Sequence, residues 1–352
     1  MNNFLRGILL AFIFVVLTSA TGFSAETSEV DSLKKRLLLL EERLAKMDEE
    51  EAVRKRLETT EEEEESDQDE ILSAAGRDYT LMKPGILGVE YSFRYTGYSY
   101  DSVVEALTVE HNADHGFTNA LALQYPVKEN ITVTGDFSFV AKMNTQSNSA
   151  VKDVTDLGDT VFGVQWQPVK SSGGGVTKII SGSFTCPTGR SPYKIDSAKE
   201  VSTGSGGYST SFGFNLSKKI DPLFVYGGLS CQIPFEIDGL NYKTGRQGES
   251  NIYLKSVRRG YTFSTSMGFG YSLSYKVSLN LGYQYSYSTK TRYDWVGTND
   301  YSSADSMSSM FSIGTGWSLY PKRTVNVKLS FGMTNNDPDF IIGVRIPFQF
   351  EL

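Results

Sequence analysis

One stretch of this sequence carries a metal-binding pattern. His111 and His115 are the two histidines of the chain, and Asp114 lies between them. On a helix, a spacing of four residues would place both imidazoles on one face and indicate a metal site. The two residues fall instead where a hairpin tip is expected between two strand-like segments. We therefore predict solvated loop histidines and no metal site.

Catalytic patterns are weaker still. A hydrolase would need a serine, a histidine and an orienting partner within hydrogen-bond reach, and no serine here lies in such a motif. The run Gly173 to Gly175 lacks the lysine and the following helix of a phosphate loop. We predict no catalytic residue, no cofactor and no enzymatic activity.

Polar side chains recur on one face of the alternating segments of this chain, opposite an apolar face. If these segments are barrel strands, the polar face lines a lumen. The side chains interpreted as pore-lining are Glu90, Arg94, Asp136, Lys142, Lys328, Arg345, Gln349 and Glu351. Charges of both signs in a lumen can form a structural network or a ring that selects ions. The two roles are compatible, and both stay open.

The end of the chain shows most clearly which elements position these side chains. In 339–352, apolar residues alternate with small or polar ones, and Ile341 is the exception. A period of two predicts a strand. The apolar face is too continuous for a water-soluble sheet, so it indicates a wall between lipid and an aqueous lumen.

The same period recurs through the preceding residues. We expect strands near 85–96, 115–125, 131–143, 156–168, 176–187, 206–218, 222–234, 258–275, 277–289, 307–320, 324–335 and 339–352. Short turns alternate with long polar loops, as in bacterial barrels. We assign 97–114 to a hairpin or strand extension, because counting it as a span would make the total odd. The prediction is an all-β transmembrane protein, an up-and-down antiparallel barrel of about twelve strands over 85–352, with a narrow or plugged lumen.

An exported amino-terminal region precedes this barrel. Residues 1–25 combine Arg6, an apolar run and small residues, which predicts a secretory signal peptide. In 26–60 the apolar positions Val30, Leu33, Leu37, Leu40, Leu44 and Met47 form a heptad seam. This seam predicts a periplasmic coiled coil that joins subunits, and a lone amphipathic helix is the alternative.

Residues 61–84 connect the seam to the barrel. Glu61 to Glu65 begin an acidic block, whose like charges favour an extended spacer. From Ile71 onward a short helix in the barrel mouth would act as a plug, and a plain linker is equally compatible with the residues. We expect the plug to gate the lumen.

Charge and cysteine placement restrict the partners. The net charge of −7 argues against nucleic acid, and the expected partners are outer-membrane lipid and further copies of the chain. Cys186 and Cys231 fall on predicted strands that have another strand between them. Two strand spacings come to about 10 Å, beyond the roughly 7 Å reach of a disulfide. Free thiols are therefore predicted.

Three short motifs resemble a known family of Gram-negative barrels. They are DLGDT at 156–160, CPTG at 186–189 and GMTNNDPDF at 332–340. The family comprises outer-membrane transporters assigned to the meta-pathway of phenol degradation and the facilitator channel of functional-amyloid secretion. The resemblance implies an outer-membrane channel. In the amyloid-secreting members it further implies twelve strands, a plug helix near 71–76 and a trimeric coil near 30–47.

The leading functional expectation is an outer-membrane channel that passes a small solute or an unfolded polypeptide. The alternative is a structural or adhesive barrel with a blocked lumen that presents its long loops for binding. Conductance separates the two, because only an open lumen carries ions.

Overall fold

A computed structural model describes residues 79, 81–82, 84–104, 108–146, 151–169, 175–196, 199–220, 223–243, 252–274, 277–320 and 323–352. The predicted signal peptide, the coiled-coil seam and nearly all of the predicted spacer and plug segment lie outside these residues. Within the described ranges, no helix has the length and apolar character needed to cross a membrane.

The described residues form β-strands almost throughout. They are β1 Ile86–Val104, β2 Thr108–Lys128, β3 Ile131–Gln146, β4 Lys152–Leu157, β5 Thr160–Trp166, β6 Thr177–Cys186, β7 Ser209–Ile220, β8 Leu223–Pro234, β9 Tyr242–Lys243, β10 Tyr253–Arg258, β11 Thr262–Ser274, β12 Val277–Ser288, β13 Arg292–Val296, β14 Tyr301–Ser302, β15 Ser306–Tyr320, β16 Arg323–Gly332 and β17 Phe340–Glu351.

The main sheet closes on itself. Its order is β2-β1-β17-β16-β15-β12-β11-β8-β7-β6-β5-β3-β4, and β2 also pairs with β3. Closure comes from β1 and β17, which pair antiparallel from Ile86↔Glu351 to Gly97↔Phe340. Because β4 and β5 both pair with β3 along different parts of its length, they share one position. The predicted antiparallel barrel of twelve strands is confirmed.

Alternation along each strand produces the two faces of the wall. Large apolar side chains at every second position are exposed on the outside, as Phe137, Phe269 and Leu329 illustrate. Intervening positions such as Ser209, Asn280 and Asn326 are buried and polar. An apolar exterior around a polar interior is the reverse of a water-soluble sheet and suits a wall surrounded by lipid.

Connections differ at the two ends of the barrel. At one end, called here the turn end, strands follow one another closely, as β7 and β8 do across 221–222. At the other, the loop end, the predicted strand extension at 97–114 is present, because β1 and β2 continue as a paired ribbon to Val104↔Thr108. Long loops also occupy this end.

Two of the long loops carry a second sheet that the sequence analysis missed. Its order is β14-β13-β10-β9. The predicted strand at 258–275 is therefore wrong at its start, since β10 ends at Arg258 and the barrel strand β11 begins at Thr262. Leu240, Leu254 and Val257 form a small buried core for this sheet.

The histidine prediction also needs correction. His111 and His115 lie on β2, not in a hairpin tip. Residues four apart on a strand are about 13 Å apart, too far to share a metal ion. His115 Nδ1 lies 2.8 Å from the Tyr95 hydroxyl. The histidine therefore belongs to the wall.

Cysteine placement follows the predicted strand order. Cys186 lies on β6 and Cys231 on β8, and β7 pairs with both strands. Both thiols are free.

Candidate functional site: the barrel lumen

Strand parity places the predicted pore-lining residues on the inward face. Glu90 and Arg94 lie on β1, Asp136 and Lys142 on β3, Lys328 on β16, and Arg345, Gln349 and Glu351 on β17. Their immediate neighbours include the outward-exposed Tyr91, Phe137, Leu329 and Phe350. Their part in conduction stays a prediction.

Barrel closure brings three of the cations together. Gly343 pairs with Arg94 on one side and with Lys328 on the other. Arg345, two residues along β17, lies on the same inward face. Among the described residues, the charged groups that act on Lys328 are Arg345 and Arg94, and Arg345 acts on Arg94. The cluster thus concentrates positive charge on one side of the lumen.

Two carboxylates lie on the neighbouring part of the wall. Ala122 pairs with Glu90 on one side and with Asp136 on the other. Glu90 is 9% exposed, and both acids, like Arg345, take part in further interactions. Acidic and basic groups therefore share strands of the wall, as Glu90 and Arg94 do on β1, and charges of both signs line this part of the lumen.

A gap in the wall exists at the loop end between β4 and β6. β6 pairs with β5 only as far as Thr160↔Cys186, so the carbonyl groups beyond this point need other donors. The loop 187–208 supplies them. The Thr203 hydroxyl donates to the Leu157 carbonyl at 2.7 Å, and the Thr188 hydroxyl donates to the Gly158 carbonyl at 2.7 Å.

Asp159 anchors both arms of this loop. Its Oδ1 accepts a hydrogen bond from the Gly189 amide at 3.1 Å, and its Oδ2 accepts one from the Ser205 amide at 2.7 Å. The arms meet because neither Gly189 nor Gly204 has a side chain. A Cβ built at Gly189 would lie only 2.7 Å from the Gly204 Cα.

The same loop also reaches over the lumen. Lys142 projects from the inward face of β3, and its Nζ donates to the Ser202 carbonyl at 2.8 Å. This predicted pore-lining residue therefore fixes a loop. Because Ser202 lies against an inward-facing group, the loop narrows the lumen at the loop end.

The loop and the second sheet form one continuous structure, which we call the loop-end cap. Tyr193 of the loop packs against the sheet core, beside Tyr293 and Trp295. Burial raises the pKa of the Tyr193 phenol above its usual value, and the nearby Tyr293 adds to this effect. Arg259 Nη2 donates to the carbonyls of Gly207 and Tyr208 at 2.9 and 2.8 Å.

A tyrosine from the segment before β1 occupies the turn end. Tyr79 is buried, and its ring lies 4.8 Å from that of Tyr226 on β8. Its hydroxyl and Ser266 Oγ on β11 are 2.9 Å apart. Tyr226 and Ser266 face inward because their neighbours Val225 and Met267 are exposed outside. Tyr79 is therefore inside the lumen.

Tyr79 and Met82 reach opposite walls. In the barrel order β8 is six positions from β1 in either direction. Met82 lies on the β1 side, with its Cε 3.1 Å from a Cβ built at Gly88. Twelve strands spaced by about 4.8 Å and tilted by about 40° give a diameter of about 24 Å. The segment of residues 79, 81 and 82, called here the turn-end strut, therefore crosses the lumen.

Sequence reasoning had missed several of these residues. The strut tyrosine lies within the segment predicted as a possible plug, but nothing in its spacing identifies Tyr79 as the contact. Asp159, Thr188 and Gly189 lie within two of the family motifs, yet the motif alone does not reveal the loop that they anchor. Asp337 of the third motif accepts hydrogen bonds from the Ser309 and Thr334 amides at 2.9 and 3.0 Å.

Comparison with solved structures supports the fold. The barrel superimposes on an outer-membrane channel from Pseudomonas putida F1 with a TM-score of 0.58 and 13% identity, covering 78% of this chain and 98% of that one. The translocator domain of the autotransporter NalP from Neisseria meningitidis gives a TM-score of 0.48 and 13% identity, covering 81% of this chain and 95% of that one. The KdgM porin gives a TM-score of 0.40 and 10% identity, covering 75% of this chain and 99% of that one. Scores below 0.5 support no specific comparison.

The first of these similarities supports the barrel fold predicted from the alternating strands. Its low sequence identity limits it to the fold. A sequence match to a family, which covers most of the barrel, shows more than the fold. Residues 92–350 match the family described as "Putative MetA-pathway of phenol degradation", and this chain belongs to that family, as its three motifs predicted.

Proposed function

We propose that this protein is an outer-membrane channel that passes small solutes between the loop-end cap and the turn-end strut. The main support is the polar, charged inward face beneath an apolar exterior. We assign the short turns to the periplasm, as in bacterial barrels generally. In this proposal the solute passes through the lumen unchanged.

The strut sets the conductance in this proposal. The contacts of Tyr79 include a hydrogen bond with Ser266 and aromatic contacts with Tyr226 and Phe224. Replacing it with alanine removes these contacts and empties part of the cross-section. Single-channel recording in planar bilayers should therefore show a higher conductance for Tyr79→Ala than for the unaltered protein.

Tyr91→Ala is the matched control. This tyrosine lies on the outer face, where its hydroxyl donates to Asn119 Oδ1 at 2.7 Å. Its removal should leave the conductance unchanged. Equal conductance of the Tyr79→Ala and unaltered channels would contradict the role of the strut, whereas a protein that never conducts would contradict the channel itself.

An adhesive barrel is the second candidate, favoured by the folded cap. The second sheet has its own core and an ion-pair network in which Arg258 contacts Glu236 and Asp294 at 2.9 and 3.1 Å. Such order suits a binding surface. Proteoliposomes that admit no small sugar, even with Tyr79→Ala, would favour this function.

Assembly through the amino-terminal seam remains a proposal of its own. A trimer would place three lumens side by side and join their periplasmic helices. Leu37→Asp should break the seam, because a buried unpaired charge is costly in a coiled coil. Light scattering of the detergent-solubilised full chain should then fall to the monomer mass, and an unchanged mass would exclude the seam as the interface.

A further inference from the structure

One inward-facing row of residues spirals around half of the barrel, and we call it the lumenal row. Its members, in order of pairing, are Arg94, Gly343, Lys328, Gly314, Asn280, Gly270 and Phe224. Glycine alternates with a larger side chain at each step. At the start of the row, Arg94 and Lys328 are therefore separated by a residue without a side chain.

The space between the two cations is open. A Cβ built at Gly343 would have the Lys328 carbonyl as its nearest neighbour, at 3.9 Å. Arg94 and Lys328 are separated by two strand spacings, about 10 Å between Cα atoms. Side chains of their length can both bend over Gly343 and contact one small anion. Both remain exposed in the lumen.

Three cations lie close together here. Arg345 is two residues from Gly343 on the same face of β17 and acts on both Arg94 and Lys328, and Arg345 and the nearby Glu90 also make further interactions. Like charges held together repel one another. An anion placed between them would relieve that repulsion and accept hydrogen bonds from both.

We propose that Arg94 and Lys328 form a binding site for small solutes with an oxyanion head group, a carboxylate or a phosphate. The guanidinium and ammonium groups bind the anion over Gly343. This inference rests on the proposed function and deepens it by naming the class of solute that the channel favours.

The test combines conduction with binding. Potassium propionate, potassium phosphate and potassium chloride are compared in planar bilayers, and propionamide serves as the neutral analogue of propionate. We expect propionate or phosphate, but not propionamide, to inhibit the chloride current at saturating concentration. Arg94→Gln and Lys328→Gln should each raise the half-inhibiting concentration at least about tenfold.

Two further variants separate binding from folding. Gly343→Val fills the open space without changing charge and should weaken inhibition in the same way. Lys178→Gln removes a cation from the outer face of β6 and should have no effect. Folding of each variant is checked by the heat-dependent mobility of the barrel in gel electrophoresis.

The outcomes distinguish this site from the channel function. Conduction with equal inhibition in the Lys178→Gln, Arg94→Gln and Lys328→Gln proteins would overturn the site and leave the channel intact. A protein that does not conduct would overturn the channel function. Calorimetric titration of the detergent-solubilised full chain with propionate and phosphate then still decides whether Arg94 and Lys328 bind the anion.

Discussion

Replacing Asp159 with alanine should release the loop 187–208 from the wall. The carboxylate accepts hydrogen bonds from the Gly189 and Ser205 amides, one in each arm of the loop. Hydrogen bonds to a charged acceptor contribute about 1.5 to 3 kcal/mol each. Two of them give about 3 to 6 kcal/mol, and because Asp159 is only partly buried we expect about 2 to 4 kcal/mol to be lost.

Hydrogen exchange measures this loss directly. Two reporter amides lie in the loop but do not bond to Asp159. The Arg190 amide donates to Thr203 Oγ1 at 2.9 Å, and the Gly204 amide donates to the Arg190 carbonyl at 3.1 Å. A loss of about 2 to 4 kcal/mol should speed exchange at both amides by about 30-fold to about 900-fold.

Asp156→Ala is the matched control for this experiment. Asp156 lies three residues away, but its Oδ1 accepts a hydrogen bond from the adjacent Leu157 amide at 2.8 Å. Replacing Asp156 with alanine should leave the loop amides protected from hydrogen exchange. Unchanged exchange at Arg190 and Gly204 in the Asp159→Ala protein would refute the anchoring role of Asp159.

Three further predictions concern the loop-end cap and the last hairpin. Gly189→Ala should expose the same loop amides to exchange, because the new Cβ would meet the Gly204 Cα at 2.7 Å. Leu254→Ala should destabilise the second sheet by about 2 to 5 kcal/mol, seen as faster exchange in β10 with the barrel strands unaffected. Hydrogen bonds from Ser308, Ser309 and Thr334 outweigh burial and lower the pKa of Asp337. Its stabilisation of the hairpin is therefore complete above the ordinary aspartate pKa and lost as pH falls below it, and exchange at the Ser309 amide should show this loss.

Each of these predictions has a control within the chain. Gly182→Ala adds a methyl group whose nearest neighbour is 4.0 Å away, so the barrel should tolerate it. Leu273→Ala removes a side chain that is 58% exposed and should leave β10 protected. Asp339 bonds to the Ser99 amide, so Asp339→Asn should leave the pH response at Ser309 intact. If a variant and its control showed the same change in hydrogen exchange, the role assigned to the corresponding contact would be wrong.

The strand pattern was predictable because its cause is local. Each barrel residue faces either lipid or lumen, so a period of two is visible in 324–335 and 339–352 without knowledge of their neighbours. The same parity placed the eight polar residues on the inward face. The even strand number then followed from the requirement that the chain begin and end at the same side.

The rest depends on contacts between distant parts of the chain. β10 and β13 pair with each other although two barrel strands, β11 and β12, lie between them in the sequence. Both β10 and β13 are too short to be recognised as strands within polar loops. The β4–β5 break is visible only once the pairing of β3 with both is known. Arg94 and Lys328 become neighbours through closure by β17, a register that no local pattern fixes.

The two obstructions in the lumen differ in how firmly they are held. The contacts of the strut include the neutral hydrogen bond between Tyr79 and Ser266, worth about 1 kcal/mol, and aromatic contacts of about 0.5 to 1.5 kcal/mol per pair. The loop is held by two hydrogen bonds to Asp159, by hydroxyl bonds to two carbonyls, and by Lys142 and Arg259. Thermal motion should therefore displace the strut more readily than the loop. Conductance fluctuations should then disappear in Tyr79→Ala and persist in Asp159→Ala, since the first variant removes the mobile obstruction and the second frees a fixed one.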